Sequence, residues 1–241
     1  ELPIPDEAVQ GWKSLRLLFL DENELSGPFP EKLLGLPSLQ ELDLNFNTLT
    51  GPIPEFNSTG TPLLFHLDLS RNTLRGNIPA SLFDIPRLKT LNLSKNFAIG
   101  NIPPNIGDAS KLANLDLGNN QLDGKIPDSL YNATAMSKLI LSFNNFTEKI
   151  KPEIFTTLPN LKSVSLDNNQ FSGPVPGVLA SPSQLNLLAL QENNFSGNIS
   201  EAICNAKNES VRLDLRIQIL RLDCDKVVCD PSCCEPGFEC V

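Results

Sequence analysis

The residues best placed to do chemistry lie close together. The only histidine, His66, precedes Asp68 by two positions in Phe65-His66-Leu67-Asp68-Leu69, and Asp43 and Asp116 sit in matching Leu-Asp-Leu triplets. A Ser-His-Asp device would have to centre on His66, and the column of Asp43, Asp68 and Asp116 could be imagined as the paired carboxylates of a glycoside hydrolase. Neither reading gains support elsewhere. The sequence has no G-x-S-x-G elbow, no glycine-rich phosphate loop, no H-E-x-x-H and no D-x-D-x-D-G calcium loop. Leu-Asp-Leu is also an ordinary filling for a short strand with one wet face. These groups therefore read as solvated surface, with contact to a partner as their candidate role. No catalytic residue, metal or cofactor is expected, and the chain is not expected to be an enzyme.

Six cysteines, Cys204, Cys224, Cys229, Cys233, Cys234 and Cys240, fall within the last 38 of the 241 residues. An even number packed into one terminal segment reads as a disulfide knot of an oxidising compartment. Zinc is the weaker alternative: Cys229-x3-Cys233 with Cys240 offers thiolates, but no second well-spaced pair and no nearby histidine. Seven Asn-x-Ser/Thr sequons, at Asn57, Asn92, Asn132, Asn145, Asn194, Asn198 and Asn208, agree with an extracellular or cell-surface setting. A net charge of −9, with 19 Lys and Arg scattered among 28 acids, argues against nucleic acid, whose phosphates need clustered cations. No run of apolar residues is long enough to span a bilayer.

The elements that must position these groups repeat. The phrase L-x-x-L-x-L-x-x-N-x-L-x-G-x-I-P returns every 24 or 25 residues, its leading position falling at Leu15, Leu39, Leu64, Leu88, Leu112, Met136, Leu161 and Leu185. Self-similarity at this period predicts a solenoid of stacked units, none able to bury its apolar face alone. Within a unit the L-x-L alternation predicts a short strand, Leu42 and Leu44 pointing in and Asp43 out. Stacked strands give a parallel sheet. The asparagine that follows, at Asn23, Asn47, Asn72, Asn96, Asn120, Asn144, Asn169 and Asn193, has donors and acceptors enough to satisfy backbone groups of its own turn and the next. A ladder of buried asparagines is expected, whereas the outward Asn119 should be indifferent to replacement. A glycine and an apolar-Pro pair then turn the chain towards a convex segment such as 80–86.

This phrase resembles the plant-type class of extracellular leucine-rich repeats, over roughly residues 15 to 200. The resemblance implies an α/β repeat solenoid: a right-handed superhelix with a concave parallel sheet, short flank strands and short 3₁₀ turns outside. It also implies recognition, as in receptor ectodomains and polygalacturonase-inhibiting proteins. Within the 241 residues the cysteine-paired N-terminal cap, the membrane segment and the kinase that the class leads one to expect are not found. The C-terminal Leu-Asp-Cys strand and cysteine cluster resemble, over about 40 residues, secreted leucine-rich proteins of diatoms and related algae. Disulfide pairing stays open among 15 connectivities, with Cys204–Cys224 favoured.

The expected organisation is a partial repeat over 1–14, eight repeats over 15–203, and a degenerate ninth repeat with a disulfide-rich cap over 204–241. Ser210, Leu213, Leu215 and Gln218 fall one 25-residue step after the eighth unit and mark that ninth repeat. Because Pro3-Ile4-Pro5 mimics the tail of a unit, a preceding piece is expected. The sixth copy, Thr147-Glu148-Lys149-Ile150-Lys151, has lost the glycine and the proline and reads as drift. Outward positions of the first four units are rich in aromatics and charge, and Phe19, Asp43, Phe46, His66, Asp68, Arg71 and Lys95 are the candidate contact residues. Later units offer smaller groups. The expected partner is a protein or peptide, with other copies of the chain as an alternative. Two rival functions are a structural or adhesive component of a wall, matrix or surface filament, and an inhibitor of a wall-degrading enzyme. The outward columns hold no regular threonine array of the kind that would face ice.

Overall fold

The first leucine of each L-x-L becomes the buried centre of a three-residue strand, such as Glu41–Asp43, whose flanking side chains face out. The computed structural model describes residues 9–57, 59–176 and 185–198, together with the backbone of the strands Ile219–Leu222, Val227–Val228 and Phe238–Cys240. The strands Leu17–Phe19, Glu41–Asp43, His66–Asp68, Thr90–Asn92, Asn114–Asp116, Lys138–Ile140, Ser163–Ser165 and Leu187–Ala189 pair in sequence order, all parallel. With Ile219–Leu222 and Phe238–Cys240 they make a ten-stranded concave sheet.

Register is strict because a slip of one residue would turn the leucines out to water. Leu18, Leu42, Leu67, Leu91, Leu115, Leu139, Val164 and Leu188 stack as one inward column. Burying each such side chain contributes roughly 1.5–3 kcal/mol before chain entropy is charged. The second inward row, Leu44, Leu69, Leu93, Leu117, Leu141 and Leu166, is equally buried.

On the convex side the chain returns through the 3₁₀ turns Glu31–Gly35, Ala80–Asp84, Ile106–Asp108 and Asp128–Asn132 and the short α-turn Glu153–Thr156. Four of the five begin directly after a proline, at Pro30, Pro79, Pro127 or Pro152. At Pro79 and Pro127 the backbone is still extended, and the carbonyls of Pro30, Pro79 and Pro127 accept the first bond of the turn, from Leu33 N, Leu82 N and Leu130 N. Short strands on the flank form a second set, including the four-stranded sheet Arg75–Asn77, Phe97–Gly100, Gln121–Gly124 and Asn145–Phe146.

Asparagines at the end of successive units link each turn to the one before. Asn96 is typical: its amide donates to Leu69 O of the preceding unit at 2.9 Å and to Leu93 O and Ser94 O of its own turn, while its Oδ1 accepts from Leu74 N at 3.0 Å. Asn47, Asn72, Asn120, Asn144, Asn169 and Asn193 repeat this pattern. Asn23 does not. It is exposed and reaches only Leu20 O and Asp21 O of its own turn.

Two features depart from the sequence expectation. Every residue before a ladder asparagine adopts the left-handed region: Glu22, Phe46, Arg71, Lys95, Asn119, Phe143, Asn168 and Glu192 have φ between 51° and 56°. That turn aims the asparagine inward, and a non-glycine residue there costs roughly 1–2 kcal/mol, least for asparagine. Asn119 is therefore a constrained position. The drifted sixth unit keeps its backbone shape in the same way: Glu148, at φ 68°, takes the left-handed place that Gly51 and Gly76 take at 80° and 84°. Ile150 remains buried, and Lys151, where proline is lost, donates to Asp128 of the unit before at 2.7 Å.

The ninth concave strand also differs. Leu187 and Leu188 pair with Ile219 and Leu220, 32 residues on; Ser210, Leu213, Leu215 and Gln218, expected to mark the ninth repeat, lie outside the described residues. A further strand, Phe238–Cys240, follows it. Cys204, Cys224, Cys229, Cys233, Cys234 and Asn208 lie outside the described residues, as do the side chains of Cys240 and Asn198. No helix among the described residues is long and apolar enough to cross a membrane.

Candidate functional site

The concave sheet presents its outward residues in columns, because equivalent positions are hydrogen-bonded neighbours in register. One column runs Leu17, Glu41, His66, Thr90, Asn114, Lys138, Ser163, Leu187. The next runs Phe19, Asp43, Asp68, Asn92, Asp116, Ile140, Ser165, Ala189. The left-handed residues Phe46, Arg71 and Lys95 line its far side.

These columns bring most of the sequence-selected residues together in the first four units. Phe19 (52% exposed) stands in register with Asp43, and Phe46 (53% exposed) has the Arg71 guanidinium 5.7 Å from its ring centroid. With the exposed Leu17 they put three large apolar groups open to water on the first two units. Lys89 likewise lies 5.7 Å from the Phe65 centroid. Lys95 is exposed in the column beside Arg71.

The acids are held by defined donors. Asp43 Oδ1 accepts from Asn45 N at 2.9 Å and from its side-chain amide at 2.7 Å. Asp68 Oδ1 accepts from Ser70 N, and its Oδ2 from the Asn92 amide at 2.8 Å. His66 stands in the neighbouring column beside the facing carboxylates, and donor atoms of Asp43, His66 and Asp68 all lie within 4.8 Å of one another. Asp116, further along, accepts from Gly118 N at 3.0 Å. Burial holds its carboxyl above the ordinary range, and Asp68 adds to that, against the lowering from Gly118, Lys138 and Lys95.

The later units carry serine, alanine and glycine in many of these columns, as at Ser163, Ser165, Ala189 and Gly118. One outward aromatic there escaped the sequence reading: Phe143, 51% exposed, occupies the same left-handed register as Phe46. Its place directly before Asn144 was the available signal. On the flank, Phe97 and Ile99 are also exposed, with Arg75 5.7 Å from the Phe97 centroid.

Of the sequon asparagines, Asn57, Asn132, Asn145 and Asn194 are exposed. Asn57 Oδ1 accepts from Thr59 N and from its hydroxyl at 2.7 Å. Asn92 is half-buried on the concave face, its amide committed to Asp68 and its Oδ1 to Ser94.

The repeat and the sheet it builds match known families. The profile described as "Leucine rich repeat" matches residues 3–49 and 134–195, and a second of the same description matches 63–85 and 111–133, together well over half of the sequence. The chain belongs to the leucine-rich repeat proteins. Among solved structures it is similar to the plant peptide hormone receptor RGFR1 in complex with RGF2, at 33% identity over 84% of this chain and 32% of that one, with a TM-score of 0.80. The Arabidopsis receptor kinase HAESA, in complex with the peptide hormone IDA and the co-receptor SERK1, is similar at 29% identity over 94% and 36%, TM-score 0.82. A plant ice-binding protein is similar at 30% identity over 84% and 64%, TM-score 0.76. The chain thus spans about a third of the length of the plant receptors it matches. No curated protein sequence matches.

Proposed function

We propose that this chain is a non-enzymatic, extracellular recognition module of the plant-type leucine-rich repeat class, binding a protein or peptide through the concave face of its first four units. The observation that carries the reading is the exposed pair Phe19 and Phe46 set among Asp43, His66, Asp68, Arg71 and Lys95 on one rigid sheet. Aromatic anchors beside charge are the usual composition of binding hot spots, and a sheet pre-ordered by its ladder loses little entropy on docking. Structures of similar plant receptors in complex with peptide hormones support the class of partner. The likeness to a plant ice-binding protein is not carried over, because the concave columns mix aromatic, acidic and basic groups without a repeating threonine.

Glycans on Asn57, Asn132, Asn145 and Asn194 would leave the N-terminal concave face bare, and disulfides among the six cysteines would close the C-terminal end. The test is capture from the native extracellular fluid by the immobilised chain, comparing the natural protein with a Phe19→Asp/Phe46→Asp double variant. One protein or peptide retained by the first and lost by the second supports the reading. Equal retention by both overturns it. Retention of other copies of the chain alone favours a building block of a surface assembly.

A further inference from the structure

We infer that Asp43, His66 and Asp68 form a binding site for a divalent transition-metal ion such as Zn²⁺ on the concave sheet. The backbone brings them together. Asp43 and Asp68 are direct partners on adjacent parallel strands, and His66 lies two residues from Asp68 on the same face. One nitrogen and two carboxylate oxygens come within 4.8 Å of one another. A tetrahedral ion with bonds of about 2.0–2.2 Å holds its ligands roughly 3.4 Å apart, so closing the site falls mainly to rotation of the His66 ring, which makes no hydrogen bond among the described residues, and needs no movement of a strand.

The donor set is what distinguishes this cluster from an ordinary acidic patch. The imidazole makes no hydrogen bond, and neither does Asp43 Oδ2, among the described residues. Among the described residues no lysine or arginine forms an ion pair with Asp43 or Asp68, although the two carboxylates face each other across the strands. Outer donors meanwhile fix both carboxylates: Asn45 holds Asp43 Oδ1, and Ser70 N with the Asn92 amide holds Asp68. Hydrogen bonds of this kind from neighbouring groups orient metal ligands and are a regular part of metal sites. Imidazole with two carboxylates suits zinc and its neighbours in the first transition row, whereas calcium prefers six to eight oxygens. Three protein donors leave at least one position for water or for a donor atom of a partner.

The site needs no partner, so it stands or falls separately from the recognition reading. The probe is Co²⁺, added to the full chain after EDTA treatment and dialysis and followed by its visible ligand-field absorption. The expected result is one Co²⁺ per chain with an intense, low-coordinate spectrum that Zn²⁺ displaces. His66→Ala and Asp68→Asn should each weaken binding at least tenfold, while Asp116→Asn, in the same column but outside the cluster, changes it less than twofold. Melting in EDTA checks that each variant is folded. No ligand-field band, or binding that survives His66→Ala, overturns the site; a sulfur charge-transfer band that persists in the variant would assign the ion to the cysteines instead.

Discussion

The first four concave units and the four that follow share one backbone and differ in what they show to solvent. Leu67 and Leu139 are equally buried in equivalent strands, and Asn96 and Asn169 make the same bonds to the unit before. Beside them, outward positions hold Phe19, Asp43, His66, Asp68 and Arg71 in one half, and Ser163, Ser165 and Ala189 in the other. A solenoid separates its two tasks by direction: inward residues set stability through neighbours, outward residues are free to vary. Stability should therefore respond alike in the two halves, and binding should not.

The sharpest check on that uniformity lies in the core. Leu67→Ala and Leu139→Ala should each lose about 2–5 kcal/mol, through lost transfer energy and a residual cavity, in urea denaturation. A large inequality between them would mean that the halves are differently packed. The ladder comes next. Asn96→Ala and Asn169→Ala should each cost about 1–3 kcal/mol, because several backbone groups lose a partner. Asn23→Ala should cost far less in the same assay, since it serves only its own turn.

Smaller effects test the left-handed positions. Glu148→Gly should raise stability by up to about 1 kcal/mol by relieving a side chain at φ 68°. Asn119→Ala should lower it by about 1 kcal/mol or less, where the sequence expectation was no change. The smallest effect is electrostatic. With its carboxyl held above the ordinary range, folded Asp116 binds its proton more tightly than the unfolded chain does. Stability is then lost as pH rises through the unfolded value and on to the folded one. Asp116→Asn keeps an acceptor for Gly118 N and should raise the melting temperature slightly at neutral pH. That gain should vanish in acid, below the unfolded carboxylate range. A gain independent of pH would trace the effect to packing instead of charge.

Much of this was legible in the sequence, for a physical reason. A period of 24 or 25 residues with leucine at fixed places allows few ways to bury those leucines, so the strand, its inward face and the ladder at Asn47 through Asn193 followed directly. Outward columns followed from the same register, which is why Asp43, His66 and Asp68 could be placed side by side. Dihedral angles left no mark. Glu, Phe, Arg, Lys and Asn all occupy the left-handed position before the ladder, so composition hid it, and Phe143 was missed although it sits where Phe46 does. Glu148 concealed the conserved shape of the sixth turn because glycine, its usual sign, was gone. The strand Ile219–Leu222 lies beyond the 25-residue step, where the repeat phrase no longer fixes the register.

The contact claim rests on asymmetry between the halves, and lysines report it on both sides. Lys89 and Lys162 occupy the same outward register in the two halves, with Lys95 and Lys138 nearby, and all four are exposed. Mass-spectrometric cross-linking of the protein in its native extracellular extract would compare them directly. Links to one different protein or peptide concentrated at Lys89 and Lys95 are the predicted result. Links concentrated at Lys138 and Lys162, or confined to convex lysines such as Lys32, would contradict an N-terminal concave docking face.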